Sequence, residues 1–171
     1  MYSVIAPVPG RVRKLATDLH PELVAFEHVR QTHSCLLKRL GDATQAQFGH
    51  LQRKTHRALE NTAAVDATIT GIDYFDDPPI GSAPVVYLSV DSPGLEAIHA
   101  ELIETFDPLD DLEGDDYVPH ITLARDGDTA TARRLADREI DPITWTVTEL
   151  EFWNGTEKVP ASRVPLSSRS L

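Results

Sequence analysis

His120 and Thr122 stand two residues apart in the run Tyr117-Val118-Pro119-His120-Ile121-Thr122-Leu123-Ala124-Arg125. On a strand, residues two apart point to the same face. The imidazole and the hydroxyl would then sit side by side, with Ile121 and Leu123 turned into a core. An imidazole near neutrality can take a proton from one oxygen or give one to another. A hydroxyl beside it can hold an anionic oxygen while charge develops. One such pair moves one proton, and a complete acid/base cycle calls for a second group.

The chain supplies a candidate through internal repetition. Each half opens on an apolar strand, 2–8 and 84–90, followed by Pro-Gly at Pro9-Gly10 and Pro93-Gly94. A helix pattern follows each. Ser92 caps the second with Pro93 in its first position, and Pro21 is expected to end the first. A histidine strand comes next, Thr32-His33-Ser34-Cys35-Leu36-Leu37 in the first half and His120-Ile121-Thr122 in the second. Further helices over 43–61 and 129–138 lead to closing segments at 69–75 and 147–153. Both closing segments slip in their alternation, as a bulge would make them.

This order predicts an α+β fold of two pseudo-symmetric lobes, with antiparallel-rich sheets facing a central cleft and helices outside. The whole of 1–171 forms one bilobal domain, its repeats spanning roughly 2–75 and 84–153, with an irregular tail over 155–171. The symmetry would set His33 opposite His120 on facing strands.

The 171 residues carry a formal net charge of −11, with 27 acidic against 16 basic side chains. Such a field opposes binding of extended duplex nucleic acid through a broad basic face, but leaves room for local capture of a phosphate. Only four of the basic residues are lysine. An acidic, Lys-poor surface suits a high-salt interior, and the surface is expected to be halophile-like. The single cysteine excludes an internal disulfide framework and fits a reducing compartment. The N-terminal run has no secretory pattern and no stretch reaches membrane-spanning length. A cytoplasmic monomer without a membrane partner is expected.

The two motifs resemble those of the 2H phosphoesterase superfamily, in particular its RNA 2′,5′-ligase-like and 2′,3′-cyclic phosphodiesterase members. That family carries two His-x-Thr/Ser motifs in a duplicated α+β fold. The likeness runs from Tyr2 to about Trp153 and is most specific over Tyr117–Arg125. It implies that His33 and His120 form the acid/base pair, with either able to take either role, and that Thr122 contacts phosphate. Arg125 would assist, although strict alternation places it on the opposite face from His120. The implied reaction is metal-independent cleavage of a nucleotide or RNA 2′,3′-cyclic phosphate, with 2′,5′ ligation when a 5′-hydroxyl takes the place of water. No cofactor and no metal ligand set are expected.

The first motif departs from the family at Cys35, where Thr or Ser would stand. A thiol donates weakly. Either Cys35 contacts the phosphate weakly, or Ser34 reaches it through distorted backbone, or Lys38 or Arg39 compensates. Tyr117, Lys38 and Arg39 are further candidates for substrate contact. The alternative reading is a non-catalytic binder of RNA ends or nucleotides, weakened at Cys35. The other five histidines match no metal motif, and His99 is expected among ordinary surface neighbours. The acidic run 107–116 reads as solvated loop charge, and Phe75 and Trp153 read as core or sheet-face residues.

Overall fold

The computed structural model describes residues 1–168. Nine strands and four helices follow in the order β1 (Tyr2–Pro7), α1 (Gly10–Leu23), β2 (His28–Val29), β3 (Ser34–Gly41), α2 (Gln45–Leu59), β4 (Val65–Phe75), β5 (Val85–Asp91), α3 (Pro93–Thr105), β6 (His120–Arg125), α4 (Thr129–Ala136), β7 (Ile143–Val147), β8 (Glu149–Asn154) and β9 (Val159–Pro165). The strands make two antiparallel sheets, ordered β3-β1-β8-β9 and β2-β6-β5-β4-β7. The fold is α+β and two-lobed, as the repeats predict.

The helices start where local chemistry directs. Ser92 accepts from the backbone N–H of Leu95 at 3.1 Å and donates to the Asp66 carbonyl at 2.6 Å, so one hydroxyl caps α3 and ties it to β4. A Cβ on Gly94 would fall 2.4 Å from that of Val65, so this close approach of α3 to β4 needs glycine. Asp128 caps α4 through the N–H of Thr131, and Thr44 with Gln47 forms a reciprocal capping box on α2. Pro21 does not end α1. The helix runs two residues further and buries Leu23, although Pro21 has no N–H to give to the carbonyl four residues before it.

Three features depart from the sequence reading. First, the sheets do not follow the repeats. β4, which closes the first repeat, pairs with β5, while β8, which closes the second, pairs with β1. The alternation slip near 148 is therefore a crossover between sheets, whereas that near 70 is a true bulge in β4. Second, the stretch 155–171 is not an irregular tail: β9 pairs along β8. It is an edge strand with Pro160 and Pro165, and only Val164 is buried, so it shows no period-2 signal. Its last three residues, 169–171, lie outside the described part.

Third, the acidic run is not all solvated. Glu113 is buried with Lys38, each side chain 2% exposed. Lys38 Nζ donates to Glu113 Oε2 at 2.6 Å and to the Arg39 carbonyl at 2.6 Å. The carboxylate also accepts from the backbone N–H groups of Arg39 at 3.0 Å and Leu109 at 2.9 Å. Burial pushes the carboxyl up, but these hydrogen bonds outweigh it and hold Glu113 below its ordinary 4.5. The pair clamps the 107–117 loop to β3. His99 adds a second clamp. It is 3% exposed, its Nδ1–H donates to the Leu37 carbonyl at 2.7 Å, its Nε2 accepts from the Gly114 N–H at 2.9 Å, and its ring stacks on Tyr117.

Glu113→Ala leaves an ammonium buried without its partner and should cost about 3–5 kcal/mol in urea unfolding. Replacing both partners, Lys38→Met with Glu113→Leu, should recover most of that loss. Because the Glu113 carboxyl is lowered on folding, the pair's contribution is complete above pH 4.5 and disappears as pH falls through the folded value.

Candidate functional site

β6 carries the second motif. Opposite β5 it pairs His120 with Ser89, Thr122 with Tyr87, Ala124 with Val86 and Arg125 with Val85. Leu123 is an extra residue, and the phase slips by one there. Thr122 and Arg125 face Tyr87 and Val85, which alternate onto one side of β5. The bulge thus turns Arg125 onto the face of His120 and Thr122, correcting the strict-alternation expectation.

His120 is held in one tautomer. A carbonyl only accepts, so the 2.6 Å contact between Nδ1 and the Val118 carbonyl is an Nδ1–H donation. Nε2 is then the nitrogen left for the cleft. Phe75 and Tyr87 stand edge-on to the ring at 5.1 and 5.2 Å between centroids. Burial, opposed by the Val118 hydrogen bond and helped by Arg39 and Arg125, holds His120 below its ordinary 6.5.

The first motif is arranged differently. β3 begins at Ser34, so His33 precedes the strand. Ser34 pairs with Pro7, Leu36 with Ile5 and Arg39 with Ser3, and Leu37 is the extra residue between the last two pairs. The residues on the cleft face of β3 are therefore Ser34, Leu36 and Arg39. Their spacing is that of His120, Thr122 and Arg125. In backbone register, Ser34 rather than His33 is the counterpart of His120. His33 comes from the preceding loop, half-buried, with its pKa lowered by burial and by Arg30.

Two hollows, of about 380 and 430 Å³, lie along this face and share Arg30 and Leu36 as lining. The first is lined by His120, Arg125, Arg39, Phe75 and Tyr117. The second is lined by His33, Ser34, Thr122, Arg13 and Trp153. The structure brings His33 and Thr122 to one hollow and His120 to its neighbour. Arg125 is steered by the 76–83 linker. Its Nη1 donates to the Ile80 carbonyl at 3.3 Å, and a Cβ on Gly81, at φ +82°, would fall 1.8 Å from that nitrogen.

Two proposed contacts fall elsewhere. Lys38 is spent on Glu113, inside the protein. Cys35 is fully buried on the core face, against Tyr117 and the backbone of His120, and burial pushes its thiol up to about 11. Cys35 packs the seam between the two sheets, while its neighbour Ser34 lines the cleft. Tyr117 lines the cleft too, but its hydroxyl donates to the Leu36 carbonyl at 2.9 Å.

Arg30, Phe75 and Trp153 also line the cleft, although the motifs did not point to them. Arg30 is placed by the two-residue strand β2, and its backbone N–H donates to the carbonyl of Leu123 at 2.8 Å. Nothing in the local sequence marks that strand. Among the described residues no group of three or more His, Cys, Asp or Glu is placed to hold a metal ion, and no helix is long and apolar enough to cross a membrane.

Solved structures of other proteins share this fold. TT0787 of Thermus thermophilus matches at 16% identity over 99% of both chains, with a TM-score of 0.68. LigT of E. coli complexed with 3′-AMP gives 17% identity over 98% of both chains and a TM-score of 0.69. No curated protein sequence matches the chain. A family model described as the 2′-5′ RNA ligase superfamily matches residues 40–158, a stretch that includes His120 and Thr122 and starts after His33. With that match over more than half of its length, the chain belongs to the 2′-5′ RNA ligase superfamily.

Proposed function

We propose that the protein is a metal-independent phosphodiesterase for nucleotide or RNA 2′,3′-cyclic phosphates, with 2′-5′ ligation as the same ring opening by a 5′-hydroxyl. The observation that carries this reading is the face of β6, where His120, Thr122 and Arg125 stand together with Nδ1 of His120 tied back to the Val118 carbonyl. Thr122 and Arg125 hold the phosphoryl oxygens as charge builds on them. One histidine takes a proton from water as its oxygen bonds to phosphorus. The other gives a proton to the ribose oxygen as its bond to phosphorus breaks. In ligation a 5′-hydroxyl replaces water and forms the new phosphodiester. His33 enters from its loop beside Thr122 and serves as the second histidine. The substrate end is small, a nucleotide or an RNA terminus, in keeping with a net charge of −11. That E. coli LigT was solved with 3′-AMP agrees with this class.

A second reading, a binder of nucleotide or RNA ends, has one observation in its favour. β3 presents Ser34 and Leu36 where β6 presents His120 and Thr122.

The test is hydrolysis of a nucleoside 2′,3′-cyclic phosphate in high salt with a chelator present. His120→Ala and His33→Ala should each lower kcat/KM by about 10²–10⁴-fold. A folded protein that binds nucleoside 3′-monophosphate and turns nothing over would select the binder. The pH profile supplies a further check. The base works above its own pKa and the acid below its own, and both histidines are lowered from 6.5. The maximum of kcat/KM, which reports the free enzyme, should therefore lie below pH 6.5 and fall as pH rises past it.

A further inference from the structure

Resting on the phosphodiesterase reading, we propose that the substrate carries a second phosphoryl group, on the 5′ side of the reacting ribose, and that Arg39 and Arg30 hold it. Arg30, Arg39 and Arg125 all line the hollow that contains His120. A phosphodiester brings one negative charge, and Arg125 beside Thr122 meets it. Two guanidinium groups are left over. Among the described residues no carboxylate lies within 4.0 Å of either, and neither guanidinium makes a hydrogen bond to a described residue. Glu113, which faces Arg39, spends its oxygens on Lys38 and on backbone N–H groups. Asp77, Asp111 and Asp116 stand exposed along the same hollow without pairing to the arginines.

Burial works against the charge on Arg39, Glu113 supports it, and the nearby Arg125 and Arg30 oppose it. A chain of net charge −11 has many carboxylates with which to neutralise them. It leaves them open in the cleft instead. The placement is also tied to the fold. Arg39 is the backbone counterpart of Arg125, brought round by its own bulge, and Arg30 is fixed by the N–H it gives to Leu123. Leu36, Phe75 and Val85 give the same hollow, of about 380 Å³, an apolar lining. The hollow thus suits a nucleoside with a phosphate on each side, as at an RNA terminus or in a nucleoside bisphosphate.

Titration calorimetry with nucleoside 3′-monophosphate and 3′,5′-bisphosphate tests this without needing turnover. The wild-type protein should bind the bisphosphate roughly 10- to 100-fold more tightly, the range of a charge-assisted contact. In Arg39→Gln and in Arg30→Gln the ratio of the two affinities should fall toward one, while Arg39→Lys should keep part of it. A dinucleotide 3′-monophosphate distinguishes the sources: an advantage over the mononucleotide assigns the second site to the RNA chain, and none assigns it to a free 5′-phosphate. Equal affinities in the wild type, no binding of either nucleotide, or a ratio that survives both glutamine variants would overturn the proposal. If the folded protein hydrolyses no cyclic phosphate yet shows the expected ratio, the catalytic reading fails and this one stands.

Discussion

One extra residue in a strand governs this site. In β6 it is Leu123 and in β3 it is Leu37. Each breaks the two-residue alternation once and brings an arginine onto the cleft face, Arg125 in one case and Arg39 in the other. Each also uses its carbonyl to fix a neighbour. The Leu123 carbonyl takes the N–H of Arg30, and the Leu37 carbonyl takes Nδ1–H of His99. The backbone distortion that aims the cations is thus hydrogen-bonded in place on both strands. A regular strand would send Arg39 and Arg125 to the other face and leave the hollow around His120 with two fewer cations.

The two halves share this device but have diverged in what they present. β6 offers imidazole, hydroxyl and guanidinium in order. β3 offers hydroxyl, leucine and guanidinium at the same spacing. The half that keeps the histidine motif lies wholly within the family match, which takes in only 40–75 of the other half. The other half spends its buried Lys38 and Cys35 on architecture. Lys38 and Glu113 lock the 107–117 loop to β3, Cys35 seals the seam between the sheets, and the loop before β3 delivers His33. A site with one strand-borne and one loop-borne histidine loses the strict equivalence that the repeats suggest.

Much of this was legible in the residues. The His120-x-Thr122 pair, the α+β duplication and the cap at Ser92 follow from period, spacing and side-chain chemistry. What escaped reading has physical reasons. A bulge is one residue long and leaves the local composition unchanged, so the phases of Arg125 and Ser34 are set only by the partner strand. β2 and β9 bury too little to show a pattern. The burial of Lys38, Glu113 and His99 depends on partners 75 and 62 residues away, which no local window contains. The exchange of β4 and β8 between sheets is a long-range pairing of the same kind.

In the proposed reaction, the bulge at Leu123 assembles His120, Thr122 and Arg125 into one phosphate site. A crystal structure with nucleoside 3′-monophosphate bound tests it most directly. The phosphate should lie within hydrogen-bond distance of His120 Nε2, the Thr122 hydroxyl and the Arg125 guanidinium at once. A phosphate held elsewhere, or an Arg125 side chain on the face opposite Thr122, would contradict it.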